Sequence, residues 1–382
     1  MIYLDNAATS LMKPPEVIRA MAEHTARNSV NAGRGGHYFS RRGAEIISAT
    51  ADSLAELFNI ENPERIAFTQ NATLALNMAI LGIGINGGHI ITTSMEHNSV
   101  LRPLNTLGNF TIVQADSLGF TDPDDIRRAI RPDTVMIVST HASNVCGSVQ
   151  NINEIGRIAR ENDLLFLVDA AQSAGTLDID TKAMNIDLLA FSGHKGLLGP
   201  LGTGGLYVGE RAKPIPIITG GTGSNSESLV QPEFMPDMLQ AGTMNTPAIA
   251  ALGTAVRYIQ RTGVGNIRKK ELSLAKVAID TLDRIHGVTV LGTKDLSKRN
   301  GTVAFTVDGI DSQSVAEILS DRYSIAVRGG WHCSYQAHKT LGSAKSGAVR
   351  ASFGIFNNKA DVIHLCNAVN DIASLYSKTP AS

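Results

Sequence analysis

Short, nearly unbroken apolar runs alternate with helix-spaced patterns between about residue 65 and residue 210. The runs are Arg65-Ile-Ala-Phe-Thr69, His89-Ile-Ile-Thr-Thr93, Thr134-Val-Met-Ile-Val-Ser139, Leu164-Leu-Phe-Leu-Val168 and Asp187-Leu-Leu-Ala-Phe191. Continuous hydrophobicity over so few positions marks strands covered on both faces. Between them, stretches such as Ile152-Asn-Glu-Ile-Gly-Arg-Ile-Ala-Arg160 place apolar residues at helical spacing. Strand, helix, strand in succession predicts an α/β fold, a mostly parallel sheet flanked by helices.

The pattern changes over 212–247, where Pro, Gly and Ser replace periodic apolar positions and predict loop and short hairpin. Helices are expected over 247–263 and 264–286. From Gly287 onward short strands mix with helices, as in Thr302-Val-Ala-Phe-Thr306 followed by Ser312-Gln-Ser-Val-Ala-Glu-Ile-Leu319. This predicts a large α/β domain over 15–249 and a small α+β domain made of 1–14 and 250–382.

Composition narrows the function. Thirty-four basic against 35 acidic residues leave a net charge of −1, which argues against a nucleic-acid or anionic-membrane binder. No apolar run reaches the roughly 20 residues that cross a bilayer. The first residues show no signal-peptide pattern. Three cysteines, Cys146, Cys333 and Cys366, are spaced for neither a disulfide framework nor a zinc site. The expectation is a cytoplasmic protein with reduced thiols.

In open α/β sheets ligands sit beyond the carboxyl ends of the strands. After Phe191 come Ser192-Gly-His194-Lys195 and a glycine-rich stretch; after Val168 come Asp169-Ala-Ala-Gln172. A carboxylate ending a buried strand needs a cationic partner. The 26 positions from Asp169 to Lys195 suit one crossover. An amine and a carboxylate so placed match pyridoxal 5′-phosphate, whose aldehyde condenses with lysine and whose ring nitrogen needs an acid to act as an electron sink. After Thr69, Gln70-Asn71-Ala72-Thr73 lead into the helical run Leu74–Ile80 and can offer free N–H groups to a phosphate, and Ser192 and His194 can add donors. An N-cap alone explains Thr73 equally well. His97, after the 89–93 run, can lie on the ring; a capped helix start is the plainer reading of that residue by itself.

In order along the chain, Tyr3-Leu-Asp-Asn-Ala-Ala-Thr9, Glu96-His97, Ser143-Asn144, Val168-Asp169-Ala-Ala-Gln172, Ser192-Gly-His-Lys195 and Ala241-Gly-Thr-Met-Asn245 resemble the motifs of class V aminotransferase-fold enzymes. Within these the chain is similar to the cysteine desulfurases, nearest the SufS/Csd-like branch that includes selenocysteine lyases. The resemblance runs to about residue 360. It implies the fold type I pyridoxal-phosphate transferase architecture and a homodimer. It makes Lys195 the cofactor lysine and Asp169 the pyridinium partner, stacks His97 on the ring and sets Gln172 at its 3-hydroxyl. It puts Thr73, Ser192 and His194 at the phosphate, with Gly242 and Thr243 reaching in from a neighbouring subunit. Asn144 falls at the substrate and cofactor hydroxyl.

The tail separates candidate reactions. Cys333 stands in Arg328-Gly-Gly-Trp-His332-Cys333-Ser334, a polar, glycine-containing loop, unlike Cys366 in its apolar helix. Arg328 and His332 are expected to favour its thiolate. Arg350 lies in a strand-like run, where a buried guanidinium suits a carboxylate. By resemblance Arg350 clamps the substrate carboxylate, with Arg328 and Asn144 beside it, and Cys333 takes sulfur from L-cysteine as a persulfide, releasing alanine. Before that transfer Lys195 would move the α-proton, with His97 assisting a proton transfer. L-selenocysteine as substrate and a class V aminotransferase with an incidental Cys333 are the rival readings, and a non-catalytic scaffold the third. A sulfur-acceptor or iron–sulfur scaffold protein is the implied partner. Trp331 and the Gly/Ser-rich Gly220–Glu227 depart from the family pattern, and Cys146 reads as a small core residue.

Overall fold

The computed structural model describes residues 1–33 and 35–376. After β1 (Ile2–Tyr3), the chain lays down β2 (Ile66–Thr69), β3 (His89–Thr93), β4 (Phe110–Val113), β5 (Thr134–Thr140), β6 (Leu165–Asp169), β7 (Leu188–Ser192) and β8 (Gly204–Val208). The last seven form one sheet in the order β2-β8-β7-β6-β5-β3-β4. The pairs from β7 through β4 are parallel, and β8 runs antiparallel to both β7 and β2. β3 and β7 are buried along their whole lengths, which is why their sequences show no alternation. The mostly parallel sheet expected from the apolar runs is therefore what forms.

Apolar patterning does not reveal β8, which opens on two glycines. Packing explains them. A Cβ on Gly204 would stand 2.7 Å from the Phe191 carbonyl oxygen and 2.8 Å from Asn71 Cα, and one on Gly205 would enter the Phe191 ring. Residues 209–245 contain neither helix nor strand, so the loop expectation holds without the hairpin.

The second unit has its own core. β9 (Val288–Leu291), β10 (Thr302–Val307) and β12 (Val349–Ser352) make an antiparallel sheet in the order β12-β10-β9, and β11 (Ile325–Ala326) pairs in parallel with β1. Phe305, Val349, Leu319 and Leu365 meet in its interior. The helix Thr246–Thr262, however, buries Ile249, Leu252, Val256 and Ile259 in the core of the large sheet, together with Ile267. The second core begins at Leu274. A division at 249/250 cuts through a helix that packs on the large unit; the change of core falls inside the next helix, Val264–Leu282. Among the described residues no helix is long and apolar enough to cross a membrane.

Candidate active site

Parallel strands deliver their carboxyl ends to one edge of the sheet. Asp169 is the last residue of β6 and Ser192 the last of β7. The loops that follow touch backbone to backbone: a Cβ on Gly196 would lie 2.6 Å from the Ala174 carbonyl oxygen, and one on Gly175 (φ 84°) 2.6 Å from that of Gly196. Only glycine permits this approach, which brings the loop bearing Lys195 against the loop that follows Asp169.

Asp169 is buried, and its carboxylate accepts one hydrogen bond, from the Ala171 N–H at 2.9 Å. Burial pushes its pKa up, opposed by that bond and by Lys195. Burial likewise lowers the Lys195 amine to about 8, while Asp169 pulls the other way. The two feel each other's charge without forming an ion pair. Among the described residues the Lys195 amine has no hydrogen-bond or ion-pair partner. An amine and a carboxylate that feel each other's charge yet form no ion pair suit the aldehyde and the ring nitrogen of one group, so this pair fits pyridoxal 5′-phosphate.

The phosphate side is built on the helix Ala72–Gly84. Asn71 caps it, its side-chain oxygen accepting from Leu74 N–H at 3.0 Å. Ser192 Oγ accepts from the Ala72 N–H at 3.1 Å, and Thr73 Oγ1 lies 2.8 Å from Ser99 Oγ. His194 keeps a buried Nδ1 with no partner, and burial plus Lys195 and Lys13 hold the ring near 4, hence neutral. Hydroxyls, a helix start and an unpaired imidazole nitrogen make a donor set suited to a phosphate. Gly242 lines a different cavity, with Gly33, Phe68 and Thr222.

His97 caps the helix Asn98–Leu107, its Nδ1 accepting from the Ser99 N–H at 3.1 Å. Burial, then the charges of Lys195, Arg328 and Arg350, lower its pKa to about 4. The ring is neutral with its proton on Nε2. Glu96, beside it, is fully buried and accepts from Thr93 Oγ1 and Thr140 N; burial raises it to about 8, so it is a neutral acid.

Several side chains differ from expectation. Gln172 spends its amide on the Ala7 carbonyl, 2.9 Å away. Asn144 is committed to the cysteine loop: Nδ2 donates to His332 O and Oδ1 accepts from Ser334 Oγ, both at 2.8 Å. Arg350 already holds a carboxylate, that of Asp5, at 2.6 Å from Nη2, and its Nη1 donates to Asn144 O at 2.9 Å. Its buried Nε has no partner. Arg328 meets the thiol as expected, Nη2 standing 3.7 Å from Cys333 Sγ. His332 does not support that thiol electrostatically. Its ring turns inward, and burial, then Arg350, push its pKa far below the usual imidazole range. An uncharged ring cannot stabilise a thiolate as a cation does.

Cys333 is exposed, whereas Cys146 and Cys366 are buried. It lines a surface cavity of about 590 Å³ with Arg328, Trp331, Tyr335 and Lys345. The Cys333 carbonyl accepts from the Asn98 N–H at 2.8 Å, which joins this loop to His97. Sequence reasoning quoted Asp5 and Ser334 in motifs without a role and passed over Ser99, Lys13 and His338. No local signal links Asp5 to a residue 345 positions away.

The sequence matches the aminotransferase class-V family model over residues 2–365. It is similar to the probable cysteine desulfurase of Pyrococcus abyssi, 35% identical over 376 residues that span 94% of this chain and 91% of that protein. The probable cysteine desulfurase of Methanothermobacter thermautotrophicus is 34% identical over 385 residues, 98% and 95% of the two chains. The solved apo structure of a cysteine desulfurase from Thermococcus onnurineus NA1 superposes with a TM-score of 0.91 at 34% identity, covering 98% of this chain and 94% of that one. Fold, site and relatives agree, and the chain belongs to the class-V aminotransferase family, whose members depend on pyridoxal 5′-phosphate.

Proposed function

We propose that the chain is a pyridoxal 5′-phosphate-dependent cysteine desulfurase acting on L-cysteine. The observation that carries this reading is the exposed Cys333 thiol beside the Arg328 guanidinium. That guanidinium also bears on the charges of His97 and Lys195. Thiol, imidazole and amine thus share one electrostatic neighbourhood.

When bound, the cofactor supplies the electron sink that makes the substrate α-carbon acidic. The chain's residues do the rest. Lys195 would hold the cofactor and then move the α-proton; Asp169 would supply the acid its ring nitrogen needs; neutral His97 would serve a proton transfer. Ala72, Thr73, Ser192 and His194 hold the phosphate, and Gly242 and Thr243 serve the same site in a second copy, so the working unit is a homodimer. Gln172 and Asn144 would serve the cofactor hydroxyl with the amide hydrogens that their present bonds leave free. Arg350 takes the substrate carboxylate through Nε and Nη2, with Arg328 alongside.

The sulfur step balances without an external oxidant. Cys333 thiolate attacks the substrate sulfur, the Cβ–S bond breaks with its electron pair left on carbon, and that carbon takes a proton. L-Cysteine and one protein thiol become L-alanine and one persulfide. The persulfide sulfur then passes to a thiol-bearing acceptor or scaffold protein.

The test incubates the purified protein with L-cysteine and measures alanine together with a sulfur adduct on Cys333 by mass spectrometry. Both are expected, and Cys333→Ala loses both while retaining the cofactor's visible absorbance. Desulfuration by that variant at the parental rate sinks the assignment. Pyridoxamine phosphate and a keto acid without persulfide mean an aminotransferase. Faster turnover of L-selenocysteine, independent of Cys333, means a selenocysteine lyase.

A further inference from the structure

A buried pair of imidazoles lies beneath the turn that carries Cys333, and the reaction above uses neither ring. His332 and Cys333 are consecutive non-glycine residues in the left-handed region, at φ 50° and 57°. Side chains disfavour that conformation, so the surroundings must hold it. Asn98 N–H grips the Cys333 carbonyl, and Asn144 grips His332 O and Ser334 Oγ. The remaining tie is the His332 ring. Its Nε2 lies 3.1 Å from Arg328 O and its Nδ1 3.1 Å from His338 Nε2. His338 Nδ1 in turn lies 2.8 Å from Ser343 Oγ. The two rings lie within 25° of parallel, centroids 5.3 Å apart, and both are buried.

One carbonyl orients the whole chain of bonds. Arg328 O can only accept, so His332 carries its proton on Nε2. The neutral ring then accepts at Nδ1, and His338 must supply the N–H from its Nε2. His338 Nδ1 is left to accept from the Ser343 hydroxyl. The relay ties the Arg328 carbonyl to the ring of the residue that precedes Cys333. It thereby sets the two members of the guanidinium–thiol contact relative to each other.

We propose that His338 is a positioning residue for sulfur transfer: by donating from Nε2 to His332 it holds the turn in which Cys333 faces Arg328. This rests on the reading of Cys333 as the sulfur-accepting thiol. Nothing in the geometry brings His338 to substrate or cofactor.

Two holoenzyme variants separate donor from shape. His338→Leu removes both ring nitrogens, whereas His338→Gln keeps an N–H donor and an oxygen acceptor. His338→Leu is expected to lower kcat for alanine formation about tenfold or more, with KM for L-cysteine within about twofold, because a small misplacement of a reacting group is costly. Alkylation of Cys333 by iodoacetamide slows in parallel, the cofactor's absorbance stays parental, and His338→Gln restores at least about half of kcat. Parental kcat and alkylation in His338→Leu overturn the proposal. A His338→Gln enzyme as slow as His338→Leu also overturns it, since shape and not the donor would then be the requirement. Should His338→Leu fail to fold, His338→Asn replaces it: its amide is too short to donate from the Nε2 side, so it must be slower than His338→Gln, and equal rates overturn the proposal. Parental alanine formation by Cys333→Ala instead overturns the underlying reading, and no His338 variant is needed to see it.

Discussion

Asp169 and Cys333, assigned to the same reaction, stand on opposite kinds of backbone. Asp169 ends a strand paired on both sides, so the ladder of β5, β6 and β7 sets its position and the side chain has only one hydrogen bond to keep. Cys333 sits exposed in a left-handed turn that owes its shape to Asn144, Ser334, His332 and His338. A strand end gives firm placement, which suits a group that must grip a ring, but its burial raises the Asp169 pKa, so the charge depends on a cationic partner. A turn gives access, which suits a thiol that must receive sulfur and hand it on. The price of access is that single side chains matter more there.

The largest expected effect lies on the strand side. Lys195→Ala should reduce alanine formation by roughly 10³-fold or more and abolish the covalent cofactor's visible absorbance. The apo protein's thermal midpoint should hardly move, because the strands place that position without the amine. A large fall in the midpoint would break the contrast between the two regions.

Asp5→Asn comes next. It leaves the buried Arg350 guanidinium without its carboxylate, and removing one partner of a buried pair costs about 3 kcal/mol. Denaturant unfolding should register that loss, accompanied by a changed KM for L-cysteine, since the same guanidinium is assigned to the substrate. Unaltered unfolding with unaltered KM would remove Asp5 from the site.

Ser334→Ala sharpens the loop side. It takes one hydrogen bond from buried Asn144, a change of about 1 kcal/mol in stability. Alkylation of Cys333 should slow several-fold while cofactor absorbance stays constant. An equal effect on both readouts would show that the loop and the strand ends are not separable.

The smallest effect on activity concerns the junction of the two units, where the readout is stability against pH. Glu271 lines the cavity there with Asn300 and Gln172 and has no hydrogen bond or ion pair among the described residues. Burial raises its pKa from 4.5 to about 8. The folded chain therefore keeps a proton that the unfolded chain releases above 4.5, and stability falls as pH rises until about pH 8. Glu271→Gln has no proton to lose. Relative to the parent it should gain stability progressively as the pH rises from about 5 to about 8, read from thermal midpoints. A constant difference across that range would place the carboxylate in water.

Much of this was readable along the chain. The apolar runs locate β2, β3, β5, β6 and β7 to within a residue or so, and the strand-end rule leads directly to Asp169, Ser192 and Lys195. Polar, glycine-containing surroundings separate Cys333 from Cys366 before any coordinates. All of these signals are local: they depend on covalent neighbours and on which faces a segment buries. Tertiary structure alone decided the rest. Asp5 meets Arg350, Asn144 turns to the cysteine loop, His332 points inward to His338, and Thr246–Thr262 joins the large core. Each of these depends on packing between segments far apart in the chain, where a donor's partner is whichever acceptor the folded backbone presents, and no periodicity in the sequence records that choice.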